Sequence, residues 1–157
     1  MKEIVIKSII HSLHYDELSD TERSLVEQAI EATGRSYAPY SHFRVGAAVL
    51  LQNGRTFIGC NQENAAFPSG LCAERTALYA AGAQCPDQPV VMLAVAARGT
   101  DGGLLESPIS PCGGCRQVLV ETENRFGTPV RILLYGHREV YAVDGIEALM
   151  PLSFSEF

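Results

Sequence analysis

Cys72-Ala73-Glu74-Arg75 and Pro111-Cys112-Gly113-Gly114-Cys115-Arg116-Gln117 are the two stretches whose reading decides this chain. They bring together a Cys-x-x-Cys pair and a third cysteine, a donor set suited to zinc. Three thiolates leave the fourth corner of a tetrahedron open, which marks catalytic rather than closed structural zinc. Cys112 and Cys115 are three apart and face the same side of a helical first turn. Cys72 and Glu74 are two apart, about 200° around a regular helix. They share a pocket only if Cys72 sits at or before a helix start. Both stretches are therefore expected to open helices, which aims backbone N–H groups and a partial positive charge at the sulfurs. Glu74 is then placed to handle the protons of an activated water.

The charge of such a site needs compensation, because three thiolates outweigh one divalent cation. The helix ends supply part of it. Arg75, one turn from Cys72, is expected to supply more by donating hydrogen bonds to the sulfurs. Three other readings exist for the same cysteines: a structural zinc knot, a set of unrelated buried thiols, and a redox dithiol at Cys112 and Cys115. The Glu74 spacing and the open corner favour catalysis over the knot, and no thioredoxin-like pattern surrounds the pair.

With 157 residues the chain is expected to form a single domain over 1–157, large enough to bury a core without disulfide staples. Its net charge of −6 argues against affinity built on neutralising nucleic-acid phosphates. The five cysteines are an odd number, so a fully paired disulfide framework is excluded, and a reducing cytoplasm suits the thiols. The apolar run at Ile4–Ile10 is interrupted by Lys7 and is too short to span a membrane.

Periodicity then orders the elements. Ile4 to Leu13 is β-branched and apolar enough for a strand, but too short to separate a strand from a buried helix. Ser19 and Glu22 form a capping box, and Leu25, Val26, Ala29 and Ile30 follow at helical spacing up to Gly34. Arg44–Leu51 and Thr56–Asn61 read as a hairpin about a two-residue Asn53-Gly54 turn. Cys72–Ala83 and Gly113–Glu123 read as helices, Val90–Ala97 and Val130–Tyr135 as buried strands, and Arg98–Ser107 as a loop. Glu139–Val143 reads as an edge strand and Ile146–Met150 as a short helix. The alternation implies an α/β fold, three layers α/β/α around a mixed sheet of about five strands.

Further residues share one pattern: Ala38-Pro39-Tyr40-Ser41, Phe43, Val45-Gly46-Ala47-Ala48, Gly59, Asn61-Gln62-Glu63-Asn64-Ala65, Cys72-Ala73-Glu74-Arg75-Thr76-Ala77 and Ser110-Pro111-Cys112-Gly113 through Gln117. Over residues 37–154 the chain resembles the cytidine deaminases of pyrimidine salvage, in their homotetrameric, three-cysteine branch. The resemblance implies one zinc per subunit held by Cys72, Cys112 and Cys115, with Glu74 as the catalytic proton shuttle. It also implies that Asn61 and Glu63 hold the ribose hydroxyls, that Phe43 packs on the pyrimidine, and that the Ala73 backbone contacts the base. Phe154 resembles an aromatic that reaches a neighbouring subunit's pocket. Residues 1–15 are extra to the pattern. Phe67 stands where a tyrosine is common, Gly114 where an alanine is, and Thr122 where an aromatic often follows.

On residues alone, Phe43 also suits a core, and Asn61 and Glu63 suit a polar strand end. Cys60 and Cys85 read as packed or loop thiols. None of His11, His14, His42 and His137 falls at a ligand position. The implied activity is hydrolytic deamination of cytidine or 2′-deoxycytidine to the uridine counterpart and ammonia, by a zinc aminohydrolase of class EC 3.5.4. The expected partners are a small nucleoside and three further copies of the chain, with no nucleic acid and no membrane. The alternatives are a deaminase of bases in tRNA or DNA, an aminohydrolase of another amino-heterocycle, and a non-enzymatic zinc scaffold.

Overall fold

The computed structural model describes residues 1–155. Helix α1 (Asp20–Thr33) begins as the capping box requires: Glu22 N–H donates to Ser19 Oγ at 3.3 Å, and the Glu22 carboxylate accepts from Ser19 N–H at 2.9 Å. It buries Leu25, Val26 and Ala29 of the apolar stripe read from the sequence, together with Ala32, while Ile30 of that stripe is partly buried.

The strands are β1 (His11–Leu13), β2 (Arg44–Leu51), β3 (Thr56–Cys60), β4 (Val90–Arg98), β5 (Arg131–Tyr135) and β6 (Val140–Asp144). They lie in the order β1-β6-β5-β4-β2-β3, with β4 and β5 parallel and the other pairs antiparallel. Helix α2 (Ala73–Gln84) joins β3 to β4, and α3 (Gly113–Phe126) is the crossover from β4 to β5. Strand β4 explains the layering. Leu93 and Val95 point into a cluster with Ala73, Ala77 and Leu119 of α2 and α3, whereas Ala94 and Ala96 point into a cluster with Leu25, Val26 and Ala29 of α1. A strand covered on both faces reads as one continuous apolar run, as this one does. The architecture is the expected three-layer α/β/α with a mixed sheet.

Three local features differ from the sequence reading. The sheet has six strands rather than about five, because residues 11–13 pair with β6. Only these three of the ten residues Ile4–Leu13 form a strand, and Ile4, Val5, Ile6, Ile9 and Ile10 are exposed. The segment expected at the edge is β6, and β1 covers it, so the edges are β1 and β3. The β2–β3 connection is longer than two residues: Leu51 N–H donates to the Arg55 carbonyl, and Gly54 N–H donates to the Leu51 carbonyl. Gly54 alone takes a positive φ, 83°, while the Asn53 side chain accepts from Arg55 N–H at 3.1 Å. Asn53 therefore serves the turn with its side chain rather than with a left-handed backbone.

Gly59 of β3 sets how closely α2 can lie on the sheet. A Cβ there would stand 2.4 Å from Ala77 N and 2.5 Å from the Ala73 carbonyl oxygen. The bare backbone of β3 lets the first turn of α2, which carries the functional side chains, seat against the strand.

Candidate active site

Both cysteine stretches open helices. Cys72 is the N-cap of α2 and Cys112 the N-cap of α3, each in extended backbone, and neither helix start is capped by a side chain. Cys115 sits in the first turn of α3 and is fully buried. The sulfur of Cys112 lies 3.7 Å from that of Cys72 and 3.4 Å from that of Cys115, and all three lie within 4.8 Å of one another. Sulfurs at about 2.3 Å from a tetrahedral zinc would be roughly 3.8 Å apart. The group therefore fits that ion, and its all-thiolate chemistry suits zinc rather than calcium or magnesium. Arg116 braces the approach to Cys112: its Nε donates to the Pro111 carbonyl at 2.9 Å and its Nη1 to the Leu149 carbonyl at 2.7 Å.

Arg75 lies where the charge argument placed it, with Nη2 donating to Cys72 Sγ at 3.4 Å. Its Nε is buried with no hydrogen-bond partner among the described residues. The thiols are poised unequally. A hydrogen bond from Cys115 is the largest influence on Cys72; with those from Arg75 and Cys112 it outweighs burial and lowers the Cys72 pKa to about 5. Cys115 moves upward, because its proton is shared toward Cys72 and its site is buried.

Glu74, in the first turn of α2, is 4% exposed. Burial pushes its carboxyl above the ordinary carboxylate range; its own backbone N–H opposes this and the Cys72 sulfur adds to it. A buried acid with raised proton affinity beside a metal-binding group is suited to take up and release a proton.

Cys72 and Arg75 also line a surface pocket with Tyr40, Asn61, Glu63 and Phe67. Asn61 is tightly held: its Oδ1 accepts from Val45 N–H at 2.8 Å and from the Ser36 hydroxyl, and its Nδ2 donates to the Phe43 carbonyl at 2.9 Å. Glu63 accepts from Tyr40 N–H at 2.9 Å, from Ser41 N–H at 3.2 Å and from the Ser41 hydroxyl. Ala73 is buried at the start of α2. Phe43 is partly buried, and its carbonyl accepts from Asn61 Nδ2. Phe154 is 67% exposed, and Gln117 Nε2 of α3 donates to its carbonyl at 2.7 Å. The structure thus brings Cys72, Arg75, Asn61 and Glu63 into one pocket lining at the start of α2. Glu74, Cys112 and Cys115 adjoin Cys72 without lining that pocket, and Ala73, Phe43 and Phe154 also stand outside it. Ser36 and Ser41 were not singled out as site residues by the sequence reading. Their signal was two hydroxyls in the short connection before β2, facing an Asn-x-Glu after β3.

Among the described residues no helix is long and apolar enough to cross a membrane. Residues 19–126 match the family model described as the cytidine and deoxycytidylate deaminase zinc-binding region. A cytidine deaminase of Halalkalibacterium halodurans is 43% identical over 97 residues, covering 62% of this chain and 68% of that protein. The crystal structure of cytidine deaminase from Burkholderia pseudomallei superposes with a TM-score of 0.71 at 38% identity, covering 83% of this chain and 97% of that one. That of the Mycobacterium tuberculosis cytidine deaminase superposes at 0.65 with 33% identity, covering 83% and 94%.

Proposed function

The chain belongs to the family of the cytidine and deoxycytidylate deaminase zinc-binding region, and from that premise we propose that Glu74 carries protons in the hydrolytic deamination of cytidine or 2′-deoxycytidine. It is a zinc-dependent hydrolase of class EC 3.5.4, with one zinc per subunit. Cys72, Cys112 and Cys115 would hold the metal. When bound, zinc supplies Lewis-acid activation of a water molecule.

The chain's own residues do the rest. Glu74 takes the proton of the attacking water and delivers it to N3 of the pyrimidine as oxygen bonds to C4. It then takes the remaining proton from the new hydroxyl on C4 and hands it to the amine as the C4–N bond breaks and C4=O forms, so uridine and ammonia account for every atom of cytidine and water. The helix starts at Ala73 and Gly113, together with Arg75, offset the negative charge of three thiolates. Asn61 and Glu63 receive the sugar, Phe43 packs on the base, and the Ala73 backbone contacts it. The observation that carries this reading is the buried Glu74 carboxyl in the first turn of α2, beside the three-sulfur group that Cys72 of α2 forms with Cys112 and Cys115 of α3.

The setting is pyrimidine salvage in the cytoplasm, by a single domain working as a homotetramer in which Phe154 approaches a neighbour's pocket. The exposed Phe154 ring and its anchored backbone support that last step. The test is direct. Zinc-loaded protein mixed with cytidine should lower the nucleoside's ultraviolet absorbance and release ammonia in equal amount. Zinc-replete protein that releases no ammonia from cytidine or deoxycytidine contradicts the reading.

A further inference from the structure

Asn61 and Glu63 are nearly saturated by the protein before any ligand arrives. Val45 N–H can only donate and the Phe43 carbonyl can only accept, so together they fix which end of the Asn61 amide is oxygen. An amide oxygen has two lone pairs, and Val45 and Ser36 take both. One of the two Nδ2 hydrogens goes to Phe43, which leaves one. A carboxylate accepts about four hydrogen bonds. Tyr40 N–H and Ser41 N–H fill Oε2 of Glu63, and the Ser41 hydroxyl takes one place on Oε1. What remains free is one donor on Asn61 and one acceptor on Glu63, the complement of a single hydroxyl.

Ser41 is the only residue whose side chain holds Glu63 Oε1 among the described residues, and its oxygen also accepts from Phe43 N–H at 3.1 Å. The backbone makes this possible at His42, the one non-glycine described residue with positive φ, 57°. That turn brings the amides of Tyr40 and Ser41 and the Ser41 hydroxyl round one carboxylate. The Glu63 carboxyl is accordingly held below its usual range, first by the Ser41 hydroxyl.

We infer that Ser41 is a positioning residue: its hydroxyl aims the one free acceptor of Glu63 at the 3′-hydroxyl, the ring hydroxyl that cytidine and 2′-deoxycytidine share, so that Ser41 acts on sugar recognition and not on the chemistry at C4. This rests on the deaminase reading given above. Without the hydroxyl, Oε1 loses its only side-chain donor and swings toward water.

Ser41→Ala should raise KM for cytidine about tenfold, the typical weight of a hydrogen bond to a charged group, with the larger share of the loss in KM rather than kcat. For 3′-deoxycytidine, which lacks the hydroxyl, the same substitution should change KM less than about twofold. Ser41→Thr, which keeps the hydroxyl, should recover most of the affinity. In a Glu63→Ala background, Ser41→Ala should add little further loss, because the two residues act as a unit. Calorimetric binding of uridine and 3′-deoxyuridine reads the same contrast without turnover, so it stands apart from wild-type activity, which tests the deaminase reading alone. Equal losses for the hydroxylated and 3′-deoxy ligands, or no loss for either, would overturn the inference.

Discussion

Helix α1 and the pair α2 and α3 begin alike and are finished differently. All three N-cap residues have extended backbone: Ser19 at φ −63° and ψ 162°, Cys72 at −73° and 155°, Cys112 at −65° and 165°. Ser19 satisfies its helix with a reciprocal side-chain bond to Glu22, whereas neither cysteine caps its helix with a side chain. Sulfur is a weak acceptor where a serine oxygen is a good one. The same local conformation thus serves stability on one face of the sheet and a metal-binding group on the other. A helix start left without an oxygen cap keeps its partial positive charge for the thiolates beside it.

Cys72→Ser breaks this contrast most sharply. The substitution supplies a favoured capping residue while removing a soft ligand. Metal analysis after dialysis should find most of the zinc gone and turnover abolished, with the melting temperature of the metal-free protein unchanged or slightly higher. Retention of both zinc and activity would mean the cap position, not the sulfur, is what matters there.

Gly59→Ala comes next. The added methyl group meets backbone of α2 at 2.4 and 2.5 Å, and overpacking of this kind costs about 1–3 kcal/mol. Thermal melting and a zinc competition titration should both weaken, because the clash falls on the turn that carries Cys72 and Glu74. A melt that drops while zinc affinity holds would separate strand packing from the site.

Ser19→Ala should act on stability alone, removing about 1 kcal/mol in denaturant unfolding and leaving kcat/KM unaltered. A matching loss of activity would erase the division of labour between the helices.

The smallest effect is one of pH. Burial is the largest influence on Glu22 and raises its pKa, but hydrogen bonds from Ser19 and Arg131 together outweigh it and the net shift is downward. A carboxyl with a lowered folded pKa makes the unfolded chain bind more protons in acid, so its contribution is complete above the ordinary glutamate value of about 4.3 and disappears as pH falls through the folded value. The unfolding midpoint should therefore drop more steeply for the natural protein than for Glu22→Gln between about pH 5 and pH 3. Parallel curves would contradict the capping box as an acid-sensitive element.

Much of this was legible before the structure. The capping box, the apolar run of β4 and the paired helix starts at Cys72 and Cys112 are local signals, written in spacing and residue type. What was not legible depends on partners distant in the chain. Strand β1 exists because residues 11–13 meet β6, some 130 residues on, and the β-branched pattern of Ile4–Ile10 carries no information about whether a partner is there. The Asn53-Gly54 pair announced a turn but not its length, since Asn53 can work through its side chain. At the site, residue types pointed to Asn61 and Glu63. The serines that hold them are common in any loop, and only their hydrogen-bond geometry separates them from ordinary solvent-facing hydroxyls.

The central claim concerns Glu74: a carboxyl kept protonatable by burial moves the protons, while sulfur alone holds the metal. The measurement that tests it most directly is zinc content and single-turnover rate on the same preparation of Glu74→Gln. The account predicts one zinc per chain and a rate lower by about a thousandfold, within the usual range for losing a general acid–base group. Turnover within tenfold of the natural protein, or zinc lost along with the carboxyl, would contradict it.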